Sequence, residues 1–350
     1  MVVGPATCSA VWTALAIAIS GGAGMAERTP PTPPPPPLLP SQAPTVAAED
    51  AGRARRMTAL VARFTDAHVE ARTSERFLLV GDLAGDAADA ALARLERTAD
   101  AVERFAREID PAPPSPGRRA TERFVVLAFA ERAAFETFAK NEDRIDGRWM
   151  VGYWMPGADR VVVRSATAEE RAVGGVDASR RGRALAATLE DDAATIAHEA
   201  AHQMLHRLGV QRRSLQSPLF LSEGLAMAFE TCAAPGGEPF ADQPARRTRL
   251  GEAMERSEVP SLHDIVSAAR LPASDAEVER FYDASWSLVR HLRLERPQAL
   301  ERYVRAVRDA APALSPARNV ELFRRMVGDL AEVERSWRRS VLRAAHDKRR

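Results

Sequence analysis

Cysteine is scarce in this sequence, and neither sign of charge is in excess. Only two cysteines occur in 350 residues, Cys8 and Cys232, and they lie far apart along the chain. This excludes a framework of several disulfide bonds and a zinc site built from cysteine thiolates. The formal net charge is +1, which gives no overall field that would attract nucleic acid or an acidic membrane. We therefore expect no nucleic-acid partner.

The N-terminus lacks an apolar run long enough to span a bilayer. The run covers residues 11–19, whereas a spanning helix needs about 20 apolar residues. Small residues follow at 21–24, and Ala26 is placed to end a signal-peptidase site. The sequence thus predicts a signal peptide over residues 1–26, export to the periplasm, cell envelope or medium, and no stable membrane insertion beyond that signal. If translation begins at Met25 instead, the protein is cytoplasmic.

Proline separates this first segment from the part of the chain that folds. Residues 33–37 are all proline, and such a stretch adopts an extended polyproline II conformation that forms no core. We expect a disordered linker over residues 27–50, an N-terminal α/β subdomain over 51–170 and a helical subdomain over 171–350. The expected fold class is α+β.

The hydrophobic periodicity changes between the two halves of the chain. In the first half it predicts strands at 76–81, 123–130, 149–155 and 160–164, and helices at 86–109 and 131–140. In the second half it predicts only helices, at 192–208, 217–230, 246–256, 275–293, 297–310 and 320–345.

The pentapeptide His198-Glu199-Ala200-Ala201-His202 carries the strongest chemical signal. Residues four apart lie on nearly the same face of a helix, so the two imidazoles can converge on one metal ion. Glu199 lies about 100° further round the helix, where its carboxylate can reach a metal-activated water without binding the metal. This arrangement is typical of a zinc-dependent hydrolase.

The residues after the pentapeptide decide which third ligand is available. A metzincin would need glycine and histidine where Leu205 and Leu208 stand, so that class is excluded. His206 continues the histidine stripe, but three consecutive turns of a straight helix do not converge on one tetrahedral ion. Glu223 lies among apolar neighbours on the next predicted helix, and a carboxylate buried there needs a partner such as zinc. Gly224 beside it weakens the helix and indicates close backbone packing.

His-Glu-Ala-Ala-His followed by Leu-Ser-Glu-Gly-Leu-Ala resembles the gluzincin peptidases, and the arrangement over residues 70–300 resembles bacterial peptidase-MA-like domains. The resemblance implies a zincin-like fold in which an edge strand pair precedes the metal helices. It implies that His198, His202 and Glu223 bind Zn²⁺ and that Glu199 is the general base. It also implies that the strand at residues 160–164 is an edge against which an extended peptide or protein substrate pairs.

Gluzincins commonly use a tyrosine or histidine on a later helix to stabilise the transition state. Tyr282 is our candidate for that role, and His291 is a weaker one. The alternative is that Tyr282 is simply a core aromatic residue.

The predicted activity is zinc-assisted hydrolysis of an amide bond, with Glu199 accepting a proton from water and passing it to the leaving amine. Two alternatives stay open: a zinc-containing binding or scaffold domain without turnover, and an amidase acting on a cell-wall amide. No Gly-x-Ser-x-Gly elbow and no glycine-rich phosphate loop occur in the sequence.

Overall fold

The computed structural model describes residues 46–83, 85–111, 122–146, 150–164, 178–211, 217–310 and 314–346. The expected signal peptide lies outside these ranges, as does the proline run. Within them, no helix combines the length and apolarity that crossing a membrane requires.

The N-terminal part alternates strands and helices. Its strands are short runs rich in branched and aromatic residues, which suit a pleated, buried surface. The elements are α1 (Val46–Val61), β1 (Glu70–Thr73), β2 (Phe77–Gly81), α2 (Gly85–Ile109), β3 (Phe124–Phe129), α3 (Arg132–Asn141), β4 (Gly152–Met155) and β5 (Arg160–Arg164).

The strands form a five-stranded sheet in the order β1-β2-β3-β5-β4. The central strands β2, β3 and β5 are parallel, and β1 and β4 pair antiparallel at the two edges. Helix α2 packs on one face of the sheet together with the helical half of the chain, and α3 packs on the other.

The structure corrects the prediction that residues 160–164 form an edge strand. β5 lies between β3 and β4, and the edge strand is β4. Residues 161–163 of β5 are all valine and fully buried. A continuous branched apolar run is typical of a parallel strand covered on both faces. The shorter strand β4 is left at the sheet margin.

The second half of the chain is helical, so the predicted α+β fold class is confirmed. Its helices are α4 (Ala178–Arg207), α5 (Leu219–Phe229), a 3-10 turn (Glu230–Ala233), α6 (Pro244–Glu255), α7 (Leu262–Ser267), α8 (Asp275–Glu295), α9 (Pro297–Asp309), α10 (Pro316–Met326) and α11 (Leu330–His346).

One hydrophobic core joins the two halves. It includes Phe77 and Leu95 from the N-terminal part and Leu225, Leu288 and Trp337 from the helical part. Each of these side chains is at most 1% exposed. The sheet and the helices that carry the pentapeptide and Glu223 are therefore packed against one another.

Several boundaries differ from the predictions, and three of the differences have a structural reason or a large extent. Helix α1 begins at Val46, inside the expected linker, because its side chains make tertiary contacts: Arg53 bonds Glu122 at 3.1 Å and Asp50 pairs with Arg123. Helix α4 begins at Ala178, ahead of the predicted start at residue 192. The helix predicted over residues 320–345 is divided into α10 and α11 around Gly328, whose φ of 133° a helix does not contain.

Candidate metal centre

Helix α4 carries the pentapeptide and is buried on the side that faces the core. Ile196, Ala200 and Met204 form its packed face, and each is at most 3% exposed. The helix ends at Arg207, and Gly209 beyond it has a φ of 75°, the left-handed conformation typical of a helix C-terminus. The core-facing packing fixes the rotation of α4, so His198 and His202 point toward α5.

Glu223 on α5 meets the two histidines. The Nε2 atom of His198 lies 3.2 Å from Nε2 of His202 and 3.3 Å from Oε2 of Glu223, and Nε2 of His202 lies 3.5 Å from the same oxygen. All three side chains are buried. Among the described residues these three form the group that could hold a metal ion.

The spacing of the three donor atoms fits zinc. Donors about 2.0–2.1 Å from a tetrahedral ion lie about 3.3–3.4 Å from one another, and the observed separations of 3.2, 3.3 and 3.5 Å bracket that value. Oε2 of Glu223 is buried, and no donor in the described part of the chain is oriented to hydrogen-bond it. A cation between the three atoms would satisfy it.

Close helix packing places Glu223. A Cβ atom on the neighbouring Gly224 would lie 2.6 Å from the backbone oxygen of Ser285 and 2.6 Å from Cγ2 of Val289, both on α8. Only glycine fits there, which confirms the close packing expected from Gly224. The contact fixes the height of α5, and with it the position of the Glu223 carboxylate.

The interactions inside the cluster shift the pKa values of its members in different directions. Burial opposes the charged form of His198, but its contacts with Glu223 and Glu230 outweigh that effect and raise its pKa. Burial favours the neutral acid of Glu223, yet the two histidines outweigh it and lower the pKa of Glu223. Burial raises the pKa of Glu199, and the nearby histidines offset this only in part. Glu223 is thus suited to act as an anionic ligand, and Glu199 to exchange a proton.

Glu199 lies between the metal donors and the edge of the sheet. Its side chain is buried, and its carboxylate faces the backbone N–H of Trp154 in β4, which acts to lower the pKa of Glu199. The backbone N–H of Arg164 bonds the carbonyl of Val151. In the alternating antiparallel pattern, Tyr153 and Met155 then also pair with β5, whereas the backbone groups of Gly152 and Trp154 point to the outer edge.

His206 is outside the donor group, as the sequence led us to expect. Its ring stacks on the indole of Trp154 with centroids 4.5 Å apart and planes inclined at 31°. This stack is a contact between α4 and β4, and on α4 it lies one turn beyond His202.

A third carboxylate, which the sequence analysis missed, supports His198 from behind. Oε1 of Glu230 lies 3.0 Å from Nδ1 of His198, and Oε2 of Glu230 lies 2.9 Å from Nη2 of Arg246. Glu230 is buried in the 3-10 turn directly after α5. The available signal was an acidic residue inside the apolar sequence Ala228-Phe229-Glu230, two helical turns beyond Glu223.

Tyr282 lies on α8, where it is 3% exposed and packs against Met227, Val278 and Trp286. Met227 is one turn beyond Glu223, so Tyr282 touches the helix that carries the third donor. Its catalytic role stays a prediction. His291 is on a different face of α8 from Ser285, the residue that faces Gly224 on α5. It contacts Ser340 on α11, with 3.3 Å between Nδ1 and Oγ.

The fold and the site together define an α+β protein with a buried His-His-Glu group. The model of a family described as "protein of unknown function (DUF1570)" matches residues 192–313. The matched range contains the pentapeptide, Glu223, Glu230 and Tyr282. No curated protein matches the chain. The family description states no activity.

Proposed function

We propose that this protein is a zinc-dependent hydrolase of the gluzincin type and that it cleaves amide bonds in peptides. The observation that carries the proposal is the triangle of donor atoms from His198, His202 and Glu223, with Glu199 buried beside it. Two imidazoles and one carboxylate are the protein ligands of many catalytic zinc sites, which keep a fourth position for water or substrate.

The buried charges support a divalent cation. Glu199, Glu223 and Glu230 are three buried carboxylates. Among the residues that the structure describes, Arg246 is the guanidinium that pairs with one of them, Glu230. Glu199 and Glu223 have no such partner there, and burying a carboxylate without a cation is costly. A dication neutralises them. The imidazole and carboxylate donors suit Zn²⁺ better than Ca²⁺ or Mg²⁺, which favour all-oxygen sites.

The residues of the chain divide the chemical work between them. When bound, zinc would supply Lewis acidity to a carbonyl group and lower the pKa of water. Glu199 accepts a proton from the attacking water and delivers it to the leaving amine. Burial raises the pKa of Glu199, which makes its carboxylate a stronger base toward water. The N–H of Trp154 faces the carboxylate and would orient it for both steps.

The edge strand favours an extended peptide as substrate. The backbone groups of Gly152 and Trp154 in β4 point outward, and Glu199 lies beside Trp154. An extended chain can pair with such an edge through backbone hydrogen bonds. From the sequence this role was expected for residues 160–164, and because β4 is the edge strand we propose it for β4 instead. The resemblance to peptidase-MA-like domains agrees with a peptide substrate, and the apolar run at residues 11–19 leads us to propose export.

The test compares the wild-type chain with Glu199→Gln. Bound metal is measured by mass spectrometry, and hydrolysis is measured on a peptide library and on cell-wall fragments. We expect one zinc per chain in both proteins and a loss of turnover in Glu199→Gln of about 10²–10⁴-fold. Glu321→Gln, which changes an exposed glutamate on α10, should behave as wild type.

Each of the other outcomes would indicate a different function for the protein. Zinc without hydrolysis of either substrate type would favour a metal-binding domain without turnover. Hydrolysis confined to cell-wall fragments would favour an amidase that keeps the same chemistry. Absence of zinc from the wild type would overturn the proposal.

A further inference from the structure

We propose that Arg246 is a positioning residue, which sets the metal affinity of the site through Glu230 and His198. It rests on the proposed function only in taking His198 as a metal ligand, and it does not require hydrolysis. The guanidinium of Arg246 bonds Glu230 rather than any of the three metal donors.

The first link fixes the tautomer of His198. Both oxygens of Glu230 are engaged, one with Nδ1 of His198 at 3.0 Å and the other with Arg246 at 2.9 Å. An ionised carboxylate only accepts hydrogen bonds, so Nδ1 of His198 carries the proton and donates it. In the neutral imidazole, the form that binds a metal ion, the lone pair is then on Nε2, the atom that faces His202 and Glu223.

The second link holds the carboxylate of Glu230 in place. The side chain of Glu230 is 4% exposed, and Arg246, whose own side chain is 16% exposed, pairs with it and supplies the opposite charge. The pair also fixes the direction of the carboxylate, because the guanidinium is planar and its donors are rigidly spaced.

The third link holds Arg246 in place from Asp283 on α8 and from Gln243, the residue directly before α6. Its Nη1 lies 3.4 Å from Oδ1 of Asp283 on α8, and its Nε donates to Oε1 of Gln243 at 2.6 Å. Nε2 of Gln243 in turn donates to the backbone oxygen of Met227 on α5. Arg246 therefore connects α6, α8 and the end of α5 at one point behind His198.

The buried charges of Glu230, Arg246 and Asp283 are not explained by stability alone. A buried ion pair contributes little net stability compared with well-packed apolar side chains. Orientation of a metal ligand is a use that requires charge, and loss of such an outer partner typically lowers metal affinity by about 10–100-fold.

The test measures zinc affinity on the full chain by competition with a chromophoric chelator. We expect Arg246→Met to bind one zinc per chain with roughly tenfold or greater loss of affinity. Arg246→Lys keeps the charge but lacks the planar, forked guanidinium. Its zinc affinity should therefore lie between that of the wild type and that of Arg246→Met. Arg247→Met is the matched control: it removes the next, similarly buried arginine of α6, which pairs with Asp242, and should stay within about twofold of wild type.

A double variant separates positioning from general damage. If Arg246 acts through Glu230, then Arg246→Met combined with Glu230→Gln should lose no more affinity than Glu230→Gln alone. The visible spectrum of the Co²⁺-substituted protein should change in the same way in Arg246→Met, in Glu230→Gln and in the double variant. If Arg246→Met does not fold, the Lys variant and its own combination with Glu230→Gln carry the same comparison.

Unchanged affinity in Arg246→Met or Arg246→Lys would overturn the inference, and so would fully additive losses in the double variants. Zinc binding by a wild type that hydrolyses nothing would remove the proposed hydrolase and leave this inference intact. A wild type that binds no zinc would overturn both.

Discussion

The backbone N–H of Trp154, in the edge strand β4, faces the carboxylate of Glu199 in α4 and opposes the rise in pKa that burial causes there. The contact joins the sheet to the helix at the position of the proposed general base. It is possible because the backbone groups of Trp154 point away from β5. The edge of the sheet thus places a polar backbone group against this side chain.

Removing only this N–H should impair turnover and leave metal binding intact. We expect Trp154→Pro to lower kcat about 10- to 100-fold below Trp154→Ala, because both variants lack the indole but only proline lacks the N–H. Proline is tolerated in an edge strand where the N–H points away from the partner strand. Steady-state kinetics on a cleaved peptide check this, with zinc content measured on the same samples.

The comparison with alanine is the control, since it accounts for loss of the stack on His206. Equal turnover in the two variants, with equal zinc content, would contradict the orienting role of the N–H.

The contact between Gly224 and Ser285 gives a prediction with an unusual sign. Replacing a helical glycine with alanine ordinarily stabilises a helix by about 0.5–1 kcal/mol. Here the new Cβ would lie 2.6 Å from a backbone oxygen of α8. We expect Gly224→Ala to lower the free energy of unfolding by about 1–3 kcal/mol and to weaken zinc binding, because displacement of α5 moves Glu223. Chemical denaturation and chelator competition measure the two effects.

Gly157→Ala is the control for this substitution. A Cβ at Gly157, in the turn between β4 and β5, meets no atom within 4 Å. Its unfolding free energy should stay within about 0.5 kcal/mol of wild type. A Gly224→Ala protein as stable as this control would show that α5 and α8 can separate at little cost.

Local sequence rules predict the convergence of the metal donors well. The i, i+4 spacing of His198 and His202 is enforced by helix geometry alone, whatever the rest of the fold does. Glu223 was identifiable because a carboxylate in an apolar helix needs a partner. The zinc ion itself and the catalytic roles stay predictions.

The support behind the donors was not predictable in the same way. Glu230 is 32 residues from His198, and Arg246 is 37 residues from Asp283. These pairs meet only because α4, α6 and α8 pack together, which no local periodicity encodes. The position of β4 at the sheet edge is likewise a property of strand order. The break at Gly328 was missed because a single glycine inside an apolar pattern is tolerated in many helices.

Zinc should stabilise the folded protein if the cluster binds it. A ligand that binds only the native state at a free concentration about a thousandfold above its Kd adds about 4 kcal/mol to the free energy of unfolding. Here the added stability should be lost in His198→Ala, which removes one of three donors and leaves Glu230 without its imidazole partner. His263→Ala changes a histidine whose side chain is 57% exposed on α7, and should keep the full effect. Thermal unfolding with and without a chelator measures all three proteins. A zinc-induced rise in Tm that survives in His198→Ala would place the metal elsewhere and contradict the assignment of the donors.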